Sequence, residues 1–243
     1  MINGKAPFGW GNDPITQYLD IARLNQFASF ARKRSEVIDL TTIDAMLRKL
    51  LDGAINPKPL LPIEFLLRAH SAYLPSVDAV MAGRIYELQL LLRGALEQAG
   101  YSHFVGLNQE RWERWMGRHN EMSNSQRKKW NDEFTQGAIR RDLKAASPVL
   151  ESMYSELYKR TIDYGAHPNE RGVSVNSVVK DELDGGKTFD AIYLNGNEDM
   201  IDFGLESTAQ VGLCVLRIAE LIYPTRFQAL GITQPLGVLV RRY

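Results

Sequence analysis

The stretch "PSVDAVMAGRIYELQLLLRGALEQAGYSHFV", residues 75 to 105, constrains the fold more than any other part of the chain. Ser76 can cap a helix here, with Asp78 in its first turn. Val77, Met81, Ile85, Leu88, Leu92, Ala95 and Ala99 then recur at spacings of three and four. Val80, Leu90, Leu91 and Leu96 are apolar as well, and they lie off that stripe. A helix that is apolar nearly all round has to be enclosed by other helices. The expectation is a mainly α helical bundle around a buried central helix at about 76–102.

The rest of the chain supplies enclosing helices. "DPITQYLDIARLNQFASFARKRSEVIDL" opens with Asp13 as N-cap and Pro14 at the first helical position. Its residues Ile15, Leu19, Ala22, Phe27 and Phe30 recur near helical spacing. "TTIDAMLRKLLDG" starts at Thr41 or Thr42 and stops at Gly53. The prolines of "INPKPLLP" then predict a rigid connector at 57–62. The organisation read from this is one helical domain, 1–243, in which residues 1–56 can form an N-terminal helical subdomain. Further helices are expected in "QERWERWMGRHN" and "NSQRKKWNDEFTQGAIRRDLKAA". Another follows in "SPVLESMYSELYKRTIDYGA", where Ser147, Pro148 and Glu151 give a clear start. A last long helix runs from "NEDMIDFGLESTAQ" to Pro224. Between these two, residues 173–195 are rich in Val, Thr, Phe, Ile and Tyr and turn at Asp184-Gly185-Gly186, which predicts one small β-hairpin.

Composition narrows the function classes. In 243 residues Lys+Arg and Asp+Glu balance at 29 each, so net charge offers no general attraction to RNA or to a membrane surface. No apolar leader stands at the N-terminus, and "STAQVGLCVLRIAELIYP" is interrupted by Arg217 and Glu220, so the expectation is a cytoplasmic protein without a membrane partner. Cys214, the single cysteine, excludes an internal disulfide and reads as a buried structural thiol. The four histidines, His70, His103, His119 and His167, show no metal-ligand spacing, and no phosphate loop or nucleophile elbow is present. Neither a metal nor a cofactor is expected.

The remaining chemistry is charge on the central helix. Arg84 and Glu87 stand three apart, and Arg93 and Glu97 four apart, so each pair can meet along one face. Tyr101 extends the second line by a turn. If the helix is buried these charges must be paired. They read either as a structural ion-pair network or as a binding pocket at Arg93 and Glu97 that also uses Tyr101 and Tyr164.

The segment "YKRTIDYGAHPNERG", residues 158 to 172, carries the second candidate. His167 precedes Pro168, which disfavours helical backbone, and Gly165 can close a helix end. A histidine at a helix C-terminus is favoured by the helix dipole, so capping explains it without a reaction. The charged helix "LLLRGALEQAGY" followed by the helix ending "YKRTIDYGAHP" resembles bacterial members of the HEPN superfamily of helical proteins, over roughly residues 60 to 170. Catalytic members of that superfamily carry Arg-x4–6-His, brought together by two subunits to cleave RNA. The resemblance implies Arg160 and His167 as catalytic residues, with Thr161 where active members usually carry Asn, Asp or His. Arg114-x4-His119 satisfies the same spacing.

Three classes follow from these readings. The first is a non-enzymatic interaction or binding module, for instance a homodimer joined through a helix face. The second is a HEPN-like RNA-binding protein or metal-independent ribonuclease of a defence or toxin–antitoxin system. The third is a small-molecule binding bundle.

Overall fold

In the computed structural model, which describes residues 6–168, 170–182 and 185–243, the innermost element is a single long helix near the C-terminus. The helices in chain order are α1 (Pro14–Arg32), α2 (Arg34–Leu51), α3 (Leu61–Ala82), α4 (Ile85–Phe104), α5 (Gln109–Met116), α6 (Asn124–Glu133), α7 (Gln136–Ala146) and α8 (Pro148–Thr161). A π-turn at Ile162–Ala166 leads to α9 (Glu170–Val175) and the strands β1 (Ser177–Asp181) and β2 (Lys187–Ala191). Helices α10 (Glu198–Ile222), α11 (Pro224–Ala229) and α12 (Thr233–Val240) complete the chain. The fold is mainly α with one small hairpin.

Helix α10 starts where the Asn197 side chain accepts the Met200 amide, and it stops before Pro224. Fifteen of its 25 residues are buried. Helices α3 and α4 lie along it, and α2, α8, α11 and α12 cover the remaining sides. Two glycines set how closely they approach. A Cβ on Gly204 would fall 2.7 Å from Val80 Cγ2, and one on Gly212 would fall 2.6 Å from Ile43 Cγ2 and 2.7 Å from the Tyr73 ring. Leu88 and Leu92 of α4 are fully enclosed in the same core, as are Leu40, Ile43, Leu47 and Leu50 of α2.

Most of the stretch 76–102 is enclosed as its pattern requires, with Leu90 exposed, but it is two helices, and α10 rather than either of them is the most buried. Gly83 adopts φ 85°, its carbonyl accepts the Asn195 amide at 2.7 Å, and the chain turns sharply from α3 into α4. Helix α3 begins at Leu61 and runs through Pro75. Ser76 is therefore no cap: it is buried and donates to the Tyr73 carbonyl at 2.6 Å, a bond available to a serine inside a helix. The expected N-terminal helix also breaks, at Lys33 (φ −108°, ψ 47°). Thr41 and Thr42 sit inside α2, each hydroxyl donating to the Ile38 carbonyl at 2.8 Å. Of the predicted connector, Pro62 belongs to the first turn of α3, where a proline costs no hydrogen bond.

Other boundaries fall where local chemistry puts them. Asp13 caps α1 by accepting the Ile15 and Thr16 amides, and Ser147 caps α8 by accepting the Leu150 amide. The strands β1 and β2 pair antiparallel with Val179 opposite Phe189. Of the predicted turn, Asp184 lies outside the described residues, and Gly185 has φ 81°.

Gly83 makes the α3–α4 joint testable. A Cβ there would stand 2.4 Å from the Asn195 carbonyl oxygen, and the positive φ is strained for any other residue. Gly83→Ala is expected to lower the unfolding free energy by about 2 kcal/mol in urea titration. A loss below about 0.5 kcal/mol, the scale of an ordinary surface substitution, would show that the joint is not constrained.

Candidate functional site

Helices α4 and α8 run side by side, and the π-turn after α8 folds back over the first turns of α4. Arg93 donates from Nε to Glu97 Oε1 at 2.9 Å, and the Tyr158 hydroxyl donates to the same oxygen at 2.9 Å. Arg93 also donates from Nη1 to the Ala166 carbonyl at 3.2 Å, and its guanidinium lies 5.4 Å from the Tyr158 ring centroid. One carboxylate thus ties α4 to α8, and one guanidinium ties α4 to the π-turn. The pair is half-buried, with side-chain exposures of 30% for Arg93 and 33% for Glu97. Burial first, and the Glu97 charge second, push the Tyr158 hydroxyl up to about 12, so it stays a donor at neutral pH.

The other charged pair does not form. Arg84 occupies the N-cap position of α4 with non-helical backbone, so the three-residue helical geometry to Glu87 is lost. It donates instead to Asp78 at 2.8 Å and to the Tyr18 hydroxyl at 3.0 Å, while Glu87 is exposed. Tyr101 turns away from the clamp into rings of Phe65 and Trp115, its hydroxyl 3.5 Å from the Phe134 carbonyl. Tyr164 packs on Phe203 with ring centroids 4.7 Å apart, beneath the Arg171 guanidinium. A groove of about 620 Å³ lies elsewhere, between α5 and α6, lined by Arg114, Lys129, Trp130 and Glu133 among others.

Arg160 and His167 fall on the two sides of the π-turn. Arg160 reaches toward α10, donating to Gln210 Oε1 at 2.5 Å and to Glu156 at 3.1 Å. His167 has extended backbone (φ −147°, ψ 140°), as the following proline demands, and is exposed with Nδ1 3.2 Å from the Pro168 carbonyl. Gly165, at φ 152°, turns the chain between them, and a Cβ on it would stand 2.9 Å from the Tyr86 carbonyl oxygen. The α-helix ends at Thr161, before the glycine, and the extra residue of the π-turn breaks the helical phase from Arg160 to His167.

Two features gave no signal in the sequence. Asp39, buried in α2, accepts from Arg242 Nη1 at 3.0 Å and from the Tyr243 hydroxyl at 2.8 Å. Gln89 is fully buried on α4, and neither amide atom has a hydrogen-bond partner among the described residues; the same holds for the Ser207 hydroxyl of α10. Such side chains read as ordinary helix residues until their neighbours are known.

The most unusual surface belongs to α1, which packs a polar face inward and leaves its large apolar residues exposed. Its inward residues are polar: Asn25 donates to the Ala82 carbonyl at 3.1 Å, Ser29 to the Met81 carbonyl at 2.8 Å, Gln26 to Asp78, and Tyr18 accepts from Arg84. Asn25 and Ser29 satisfy two of the carbonyls that the end of α3 leaves open. The cost is that the apolar residues point outward. Ile21 is 52% exposed, Leu24 63% and Phe27 64%, with Ile15, Leu19 and Phe30 exposed beside them; only Ala22 of this helix is buried. The recurrence of Ile15, Leu19, Phe27 and Phe30 therefore marks a helix without marking its core face.

Compared with protein-family models, curated proteins and solved structures, the chain matches none. Among the described residues no helix is long and apolar enough to cross a membrane.

Two measurements probe the interior. Glu97→Ala removes the shared acceptor of Arg93 and Tyr158 and is expected to cost about 1–2 kcal/mol, because both donors are left half-buried. A cost below about 0.3 kcal/mol would show that the clamp contributes nothing. Stability should also fall at alkaline pH. Cys214, Tyr158 and Tyr223 are each pushed up to about 12 by burial, from ordinary values of 9 and 10, and Tyr73 and Tyr154 are pushed well above theirs. A raised folded value means that the stabilisation is complete below the unfolded value and is lost as pH rises through the folded one. The urea midpoint should thus be flat near pH 8 and decline from pH 9 toward pH 12; a flat profile to pH 11 would contradict the burial of these groups.

Proposed function

We propose that this chain is a non-enzymatic interaction module that docks a protein partner through the outward face of α1. The observation that carries this reading is the exposure of every large apolar side chain of that helix. Single exposed apolar residues are normal on a protein surface, whereas Leu24 and Phe27 stand three apart on the outer face of α1 with Ile21 on one flank and Phe30 on the other, all exposed, and such a concentration on one helix marks a docking surface. The hairpin supports the same class. Val179 and Phe189 face each other across the strands and both are exposed, although a two-stranded hairpin is marginal in water without something to pack on.

The polar clusters fit a structural role in such a module. Arg93, Glu97 and Tyr158 bind one another and the π-turn carbonyl. Arg160 is held by Gln210 and Glu156.

The test is photo-crosslinking in the cells that make the protein, with a photoreactive phenylalanine analogue at position 24 or 27. A discrete protein adduct is expected from both positions and none from position 128, an exposed site on α6. Absence of any adduct from 24 and 27 would remove the docking reading.

A further inference from the structure

We infer that the junction of α4, α8 and α10 encloses a water-binding site built by Gln89, Thr161 and Ser207, at the level where α8 passes into the π-turn. The site is independent of the docking face on α1.

The directions of the three side chains follow from their neighbours, since successive residues are about 100° apart around a helix. On α4, Leu88 faces α10, where a Cβ on Gly204 would stand 3.3 Å from its Cδ2. Tyr86 faces the π-turn, its Cδ2 3.0 Å from a Cβ on Gly165. Gln89 projects between these directions, about 100° from Leu88 and about 60° from Tyr86. On α10, Gly204 faces α4 and Gln210 accepts from Arg160 of α8. Ser207 lies between them, about 60° from each. On α8, Tyr158 reaches Glu97 of α4 and Arg160 reaches Gln210 of α10. Thr161 lies between these two, about 60° from Tyr158 and about 100° from Arg160. Each side chain therefore points into the seam between the other two helices.

Their heights agree as well. Helix α8 and its π-turn run antiparallel to α4, with Tyr158 against Glu97 and Gly165 against Tyr86. They run antiparallel to α10 too, with Arg160 against Gln210 and Tyr164 against Phe203. Gln89 falls inside the first interval, Ser207 inside the second, and Thr161 inside both.

The chemistry at this point is incomplete without a further molecule. All three side chains are buried. Neither amide atom of Gln89 nor the Ser207 hydroxyl has a partner among the described residues, so the two do not bond each other directly. The Thr161 hydroxyl donates to the Tyr158 carbonyl at 2.7 Å and keeps its acceptor capacity. Buried groups of this kind cost their full desolvation unless they are paired. A water pairs them with the fewest atoms: it accepts from the Gln89 amide, donates to Thr161 Oγ1 and shares a hydrogen bond with Ser207 Oγ. Three bonds are what a buried water ordinarily makes. An ion fits less well, because none of the three side chains carries a charge to balance it. One water then joins α4 and α10 to Thr161, the last residue of α8.

The test pairs a high-resolution crystal structure of the full chain with urea unfolding. Density for an ordered water is expected within about 3 Å of the Gln89 amide, Thr161 Oγ1 and Ser207 Oγ. Gln89→Met, which keeps the volume, should lower the urea midpoint by roughly 0.3–0.5 M because it strands both hydroxyls. Ser207→Ala should lower it too, and Gln89→Met/Ser207→Ala should lose less than the sum of the two, since both act on one water. A junction without water density would overturn the inference. So would additive losses, or a Gln89→Met midpoint at or above that of the wild type, the result expected when a bare amide in a dry core is replaced by a thioether.

Discussion

Helix α10 confines Asp199, Asp202, Glu206, Arg217 and Glu220 to one stripe and is apolar over most of the rest of its circumference, an arc too broad for a single neighbour to keep from water. Its 25 residues therefore need a jacket, and α2, α3, α4, α8, α11 and α12 provide it. Gly204 and Gly212 determine how tightly that jacket closes, because Val80 and Ile43 occupy the space that a side chain on either glycine would take. Dispersion contacts fall off quickly with distance, so these approaches decide how well the core is filled. Everything outside the jacket follows from the ends and joints it leaves.

The polar residues inside the fold work at those joints. Glu97 accepts from Arg93 on its own helix and from Tyr158 on α8, and Arg93 continues to the Ala166 carbonyl in the π-turn. Asp39 holds Arg242 and Tyr243 against α2, and Gln210 connects Arg160 of α8 with the Tyr243 carbonyl. Each cluster joins elements far apart in the chain, where a hydrogen bond to a charged group is worth more than one between neutral partners. Gln89 and Ser207 stand out against this, since buried polar atoms without partners lower stability.

The same reasoning connects α1 to its proposed role. The end of α3 at Gly83 leaves carbonyls that need donors, and the asparagine and serine of α1 supply them. Once that polar face is committed inward, the leucine and phenylalanines of α1 have nowhere to go but outward. The exposed strip is thus a consequence of how α3 is terminated.

What the sequence determined by itself was local. Asp13 with Pro14, Ser147 with Pro148, and Pro224 mark helix boundaries because the bonds involved span only a few residues. Four-residue spacing was enough to join Arg93 to Glu97, and the proline after it was enough to keep His167 extended. The mainly α fold with one hairpin was legible for the same reason. Tertiary structure decided everything that depended on a distant neighbour. Glycine at 83 could have continued the helix, and it breaks there because Asn195, more than a hundred residues later, supplies the amide that its carbonyl accepts. With that break Arg84 lost Glu87 and gained Asp78 and Tyr18. Local signals could show that α1 is a helix; they could not show which side faces the core, because that was settled by carbonyls at the end of α3.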